Sequence, residues 1–355
     1  MSNPLVSICV PTYNRALYLG QSLQTILQQD YEPIEILISD NCSTDRTQEI
    51  CREAEKKDKR IRYVRQPHNI GMHANHNFLI ESSHGEFLCF FHDDDLYAPQ
   101  IISDNVAFLR AHPEAGVVCS DWGLIDESSQ EIGLRRRKVK PITPGLEYIG
   151  QTLYSGQSSI CCSGALVRRA ALGDICFDPD GSVGFSDFVV WFQIAERYAV
   201  GHIPRRLFEY RLHRGAFSRR TIESTSRDYY QTLNQYLDAH LGRWPEHAKM
   251  VKRWKGYISR FLFWALAYEL GLYFRKDAPA LLVRTQHQTV FEMAAYRLTQ
   301  EEFQQTLKQL QVHQTGCFQS LTLAAIDTLL RLKWTWPLAW VTQYSSLLRR
   351  VMGFK

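Results

Sequence analysis

Three consecutive carboxylates, Asp93, Asp94 and Asp95, close the stretch GEFLCFFHDDD, directly after the apolar run Phe87–Phe91. Two unit charges about 4 Å apart repel by roughly 1 kcal/mol in water and by more near a protein surface. A chain that ends a buried strand in three of them needs something to offset that repulsion. A hard divalent cation does so, because Mg2+ takes one or two carboxylates and completes its shell with phosphate oxygens. Mg2+ or Mn2+ is therefore the expected cofactor. Spacing leaves open which of the three acids touches the ion, and a solvated acidic turn is the plainer alternative. A further acid, Asp40, ends the run IEILISD. It could accept a hydrogen bond from the N–H edge of a base, or simply organise the turn that follows.

The elements that must carry these acids are legible from periodicity. LVSICVP reads as a strand, Leu19, Leu23, Ile26 and Leu27 recur at helical spacing, and IEILISD is a near-continuous apolar run. Such a run is the mark of a strand covered on both faces. NCSTDRTQ follows, where Asp45 and Gln48 resemble a capping box; then come the strand IRYVRQ, a helix around Met72–Ser83, and the strand EFLCFF. This alternation predicts an α/β fold with a mostly parallel sheet flanked by helices. Ligands of such sheets bind beyond the carboxyl ends of the strands. PTYNR, SDNCSTD and HDDD all stand at strand ends, so all three are expected on one crevice.

Taken together, VSICVPTYNR, ISDNCSTDRT, NIGMHANHN and GEFLCFFHDDDLYAP resemble the successive motifs of the family 2 glycosyltransferases, over roughly residues 4 to 220. The resemblance implies the GT-A fold and use of a nucleotide-diphospho-sugar. It implies that Pro11, Thr12, Tyr13, Asn14 and Arg15 line the nucleotide pocket, with Asn69, Asp93 and Asp94, and that Asp40 holds the base. It also implies a metal held among Asp93, Asp94, Asp95 and His213. The family pattern places an acid where this chain has His92. In GFSDFVVWFQIAERY, Asp187 matches the second acid of an acidic pair whose first member is replaced by Ser186; the matching role is the catalytic base. As a residue, Asp187 could equally complement the helix dipole, and the two roles are compatible. FEYRLHRGAFS resembles the closing segment, which assigns Arg211 and Ser218 to the diphosphate. CCSGALVRRAAL reads as a glycine turn entering a strand or helix, and RRRKVK as a solvated loop.

Composition separates the chain into two parts. Hydrophobic residues at 45% and charged residues at 22% describe a folded protein. The net charge of +4 divides into −4 over residues 1–219 and +8 over 220–355. A catalytic domain over 1–220 and a helical region over 221–355 are the expected units. The longest apolar run, FLFWALAYELGLYF from Phe261 to Phe274, is shorter than the roughly 20 residues a spanning helix needs. From Arg331 to Lys355 there are five basic residues and no acids, interleaved with Trp334, Trp336 and Trp340. That suits a helix lying in a membrane interface, or a cap packing on the catalytic domain or on a second subunit of a homo-oligomer. Nine scattered cysteines without metal-finger spacing fit a reducing compartment, and no signal peptide is visible at the N-terminus. The expected location is cytoplasmic, or peripheral on the inner face of the membrane.

The reading that unites these features is an inverting, metal-dependent glycosyltransferase. It takes a UDP- or dTDP-sugar to a hydroxyl of a polysaccharide or lipid-linked oligosaccharide, with no nucleic-acid partner. An aspartate-based phosphotransferase also places acids at sheet ends, but needs one of them as nucleophile. A nucleotidyltransferase lacks support, since no glycine-rich phosphate loop follows the first strand. A non-catalytic sugar-nucleotide-binding or membrane scaffold protein is the alternative from another class, favoured by His92 and Ser186 where acids are expected.

Overall fold

A computed structural model describes residues 3–136, 139–178, 186–213, 215, 232–241 and 245–258. Ser218, the apolar run Phe261–Phe274 and the tryptophan-bearing tail lie outside the described residues, as do positions 137 and 138 of RRRKVK. The chain divides into two compact units, Met1–Ala216 and Phe217–Lys355.

The first unit begins with β1 (Val6–Thr12), α1 (Leu19–Leu27), β2 (Ile34–Asp40), α2 (Thr47–Lys57), β3 (Ile61–Arg65), α3 (Met72–Ser82) and β4 (Phe87–Phe90). β1 pairs in parallel with β2 and β4, and β2 with β3. The registers run Val6 with Ile34 through Thr12 with Asp40, and Val6 with Phe87 through Cys9 with Phe90. These strands therefore finish on one edge, and the polar segments that follow them emerge together. All four residues of β4 are buried, as is every residue of β2 except Glu35. α1 turns Leu19, Leu23 and Ile26 inward.

The second half is less regular: β5 (Leu96–Tyr97), α4 (Ile101–Ala111), β6 (Ala115–Ile125), β7 (Glu131–Arg135), β8 (Ile142–Thr143), α5 (Gly145–Ser155), β9 (Leu166–Arg168), α6 (Arg169–Leu172), α7 (Ser186–Ala195) and β10 (Ala199–Arg211). Strand order is β3-β2-β1-β4-β9-β6-β10-β5, with β7 beside β6 and β8 beside β10. β9 enters antiparallel between β4 and β6, so the sheet is mixed where alternation alone predicts parallel pairing. Long β10 returns parallel to β6 and delivers Arg211 to the same edge as β4. One local expectation differs. Asp45 does not cap α2: it accepts from the N–H groups of Thr47 and Ala16, an Asx-type turn that ties the β2–α2 loop to the β1–α1 loop.

In the second unit a helical stretch at 232–236 runs into a π-helical turn, Leu237–Leu241. A 3-10 turn, Pro245–His247, then precedes a helix over 248–258. Leu233, Leu237, Val251, Trp254 and Ile258 are buried, and Lys255 pairs with Asp238. Among the described residues no helix is long and apolar enough to cross a membrane.

Candidate active site

The acidic turn after β4 is held by its first carbonyl. His92 O accepts from Ser22 Oγ at 3.0 Å, from Tyr97 Oη at 3.2 Å and from Asp95 N at 3.5 Å. The Tyr97 ring stacks on Phe91, with centroids 3.7 Å apart and planes 4° from parallel. The strand thus ends on an aromatic anchor, which fixes the three carboxylates that follow.

Their mutual repulsion is offset by hydrogen-bonding and charged groups that converge from distant parts of the sequence. Arg15, just past β1, lies between two of them, its Nε 3.4 Å from Asp93 Oδ1 and 3.6 Å from Asp94 Oδ2. His213 Nε2 sits 2.9 Å from Asp94 Oδ2. The backbone N–H of Arg211 donates to Asp95 Oδ1 at 2.8 Å. The carboxyls respond differently. Burial and the neighbouring Asp94 charge push Asp93 up to about 7, against the pull of Arg15. Burial works in the same upward sense at Asp94, but the His213 hydrogen bond, His92 and Arg15 hold it below the usual carboxylate range. Asp95 is raised strongly by burial and by Asp94. Asp94 is therefore the acid that keeps its charge.

The donor set fits a hard divalent ion. Asp94 Oδ2 and His213 Nε2 stand 2.9 Å apart in a hydrogen bond, which would have to open for both atoms to ligate one ion. Asp95 Oδ2 is buried without a hydrogen-bond partner, and His92, Asp94 and Asp95 each bring a ligand atom within 4.8 Å of the others. Carboxylate oxygens suit Mg2+ or Mn2+, and the imidazole leans toward Mn2+.

The nucleotide-facing rim is less uniform than the motifs suggest. Pro11 and Thr12 belong to β1, and the Tyr13 ring is exposed beyond them. Asn14 adopts a left-handed φ of 53°, which its short amide side chain tolerates. Its Oδ1 accepts from Thr44 N, and its own N–H donates to Ser43 Oγ, so the β1 and β2 loops are laced together. Asn69 Oδ1 accepts from Asn41 Nδ2 and Gly71 N at the start of α3.

Two of the expected site residues, Asp40 and Arg211, are buried. Asp40 has no exposed surface; Oδ1 accepts from Ser43 N at 2.8 Å and Oδ2 from Tyr63 Oη at 2.7 Å. As placed, it braces the β2 loop from beneath and offers no face to a base. Arg211 is 1% exposed, and its guanidinium is spent inside the protein. Nε donates to Asp94 O, Nη1 to Asp126 O and Ser129 Oγ, and Nη2 to Gln21 Oε1, while the group lies over the Tyr18 ring. Four of its five N–H donors are thus used within the protein. Arg211→Lys is expected to cost about 3 kcal/mol in denaturant unfolding, because an ammonium cannot reach these separated acceptors. An unchanged unfolding midpoint would return Arg211 to the diphosphate.

Asp187 is the second residue of α7, whose Val190, Trp191, Ile194 and Ala195 are buried. Its Oδ1 accepts from Phe188 N at 3.0 Å. Burial nevertheless pushes the carboxyl up to about 6. Its charge reaches the thiols of Cys161 and Cys162, and the Cys161 thiol also senses Asp95. The Cys161–Cys162 pair thus senses charge both from α7 and, at Cys161, from the acidic turn. Sequence patterning missed Tyr18, Gln21, Asp126 and Ser129 as the residues that fix Arg211. Each is individually unremarkable, and only the fold brings them together.

Comparison with known proteins bears on the family and the fold. Residues 7–176 match the family model described as glycosyl transferase family 2. Among curated relatives, an uncharacterised glycosyltransferase of Haemophilus influenzae is 35% identical over 31% of this chain and 44% of its own length. The GalNAc(5)-diNAcBac-PP-undecaprenol beta-1,3-glucosyltransferase of Campylobacter jejuni is 37% identical over 26% of this chain and 30% of its own. The match thus spans less than half the length of either relative. Among solved structures, residues 1–349 of S. aureus TarS with UDP-GlcNAc align with a TM-score of 0.54 at 18% identity, covering 85% of this chain and 92% of that one. The mannosyltransferase PcManGT of Pyrobaculum calidifontis, with GDP-Man and Mn2+, aligns with a TM-score of 0.52 at 18% identity, covering 96% and 86%. Residues 7–176 thus carry the match to glycosyl transferase family 2, and the chain takes up the GT-A fold of these solved structures.

Proposed function

We propose that the chain transfers a sugar from a nucleotide-diphospho-sugar to an acceptor hydroxyl, in a single displacement that inverts the anomeric centre. The observation that carries this reading is the presence of two unlike acids: Asp94, held ionised beside His213, and Asp187, whose carboxyl is raised to about 6. A base for a hydroxyl works best with a pKa near the operating pH. Asp187 takes the acceptor proton, and its backbone hydrogen bond from Phe188 keeps it oriented. Arg15 and the β1 loop face the leaving nucleotide, with Tyr13 exposed for the base. Mg2+ or Mn2+, held by Asp94 and His213 with Asp93, Asp95 and His92 at hand, supplies Lewis-acid assistance to the departing diphosphate when bound.

A UDP- or dTDP-sugar is the proposed donor, and a polysaccharide or lipid-linked oligosaccharide the proposed acceptor. The undecaprenol-linked substrate in the name of the Campylobacter relative supports the lipid-linked class. The basic segment from Arg331 to Lys355 suits a peripheral position at the cytoplasmic face of the membrane. A thermal-shift panel of nucleoside diphosphates with and without Mn2+ tests the reading. A ligand at 100 times its Kd stabilises by about 2.7 kcal/mol, so the preferred base is expected to stand out, and only with metal. Release of that diphosphate from its sugar, with an inverted product, completes the test. Retention of configuration rejects the single-base mechanism.

A further inference from the structure

Ligand atoms also converge beside the acidic turn, in a set of different chemistry. His76 on α3, His92 after β4 and Cys162 before β9 each bring one ligand atom within 4.8 Å of the others. The His76 ring is already oriented as a metal-binding imidazole needs to be. Nδ1 lies 2.9 Å from Met72 O, so it must carry the proton and donate, and Nε2 is left with its lone pair. Phe90 and Phe177 hold the ring, each with its centroid 5.0 Å away. Phe177 is fixed in turn by Asn77, whose amide donates to Phe177 O at 2.7 Å and accepts from Phe177 N at 2.8 Å. The other two groups have no such engagement. Among the described residues no hydrogen bond reaches the His92 ring or the Cys162 thiol, and the nearest acid to His92 Nδ1 is Asp95 Oδ2 at 3.9 Å.

We propose that His76, His92 and Cys162 form a binding site for a soft divalent transition ion of the Zn2+ class, separate in chemistry from the hard-ion site at Asp94 and His213. Two imidazoles and a thiolate are a nitrogen–sulfur set that suits zinc and does not suit Mg2+. Binding releases the thiol proton, since sulfur ligates as thiolate. Ligands on a tetrahedral ion at 2.0–2.3 Å stand about 3.5 Å apart, so the cluster closes by about 1 Å. The His92 side chain, 30% exposed and without a hydrogen bond, has the freedom to do this. The fourth position stays open to water or to a ligand. His92 also belongs with Asp94 and Asp95, so the two sites share one ring.

The inference does not rest on glycosyl transfer, and it is read by metal binding alone. The full chain, freed of metal, is titrated with Co2+ as a spectroscopic stand-in for Zn2+. A thiolate-to-cobalt charge-transfer band is expected to saturate at one equivalent and to vanish when Zn2+ is added. Cys162→Ser is expected to abolish the band, and His76→Gln to weaken cobalt affinity at least about tenfold. Asp94→Asn, which removes no proposed ligand of this site, is expected to keep it. No band in the wild-type chain, or a band that survives Cys162→Ser, overturns the site. Should Cys162→Ser fail to fold by circular dichroism, His92→Gln decides in its place: a band of undiminished affinity there overturns the site equally.

Discussion

Asp187→Asn is expected to lower kcat by about 10²–10⁴-fold, the usual contribution of a positioned general base. Donor binding is expected to stay intact, because the residues proposed to hold the nucleotide belong to the β1 loop and the acidic turn and not to α7. The pH dependence identifies the group. Burial raises the Asp187 carboxyl from 3.8 to about 6, so below that pH it carries a proton and cannot take another. Wild-type kcat/KM should rise about tenfold per pH unit below 6 and level off above it, whereas the Asn variant should lack that limb. Stability moves in the opposite sense. The native carboxyl holds its proton more tightly than the unfolded chain does, so its contribution falls as pH climbs from about 4 toward 6. Asn cannot ionise and removes that loss. A variant that is inactive yet no less stable at pH 8 is the signature of a catalytic acid kept at a structural cost. Near-wild-type turnover with normal donor binding would sink the assignment.

How far the sequence reveals this arrangement depends on the kind of signal each residue sends. The first four strands are readable because apolar runs such as IEILISD have few alternatives, and β2 occupies those same residues. The helix around Met72–Ser83 is found at Met72–Ser82. The convergence of HDDD and PTYNR follows from parallel strands ending on one edge, a matter of topology that alternation already implies. Antiparallel β9 is not readable, because Leu166–Arg168 is too short to carry a period. Asp40 and Arg211 are ambiguous in the sequence for another reason. An acid at a strand end and an arginine near a phosphate motif look alike whether they face a ligand or the protein, and burial decides between them. Asp40 meets Tyr63 and Arg211 meets Gln21, partners 23 and 190 positions away. His92 sends the opposite signal: it departs from the acidic pattern that the resemblance implies, and in the fold it lies within reach of two clusters of potential ligand atoms.

Asp94→Asn is expected to be the most damaging single change to the acidic turn, lowering kcat about 10³-fold and abolishing activation by Mn2+. The size follows from Lewis-acid stabilisation of a departing diphosphate, which is worth several kcal/mol, at about 1.4 kcal/mol per tenfold in rate. The neighbouring acids should not behave alike. Burial and the Asp94 charge both raise Asp93, so it is the less readily ionised neighbour of Asp94, and Asp93→Asn should be the mildest of the three. Asp95 accepts from the Arg211 N–H and is 1% exposed, so Asp95→Asn should lower the unfolding midpoint first. His213→Ala separates coordination from simple charge pairing. If His213 only neutralises Asp94, the variant should bind Mn2+ more tightly, because the carboxylate loses a competitor 2.9 Å away. If His213 is a ligand, Mn2+ affinity should fall about 10-fold or more, and the Mn2+ concentration giving half-maximal rate should rise in step. Turnover by Asp94→Asn with an unaltered Mn2+ requirement would show that the ion is held elsewhere, and the hard-ion site would have to be reassigned.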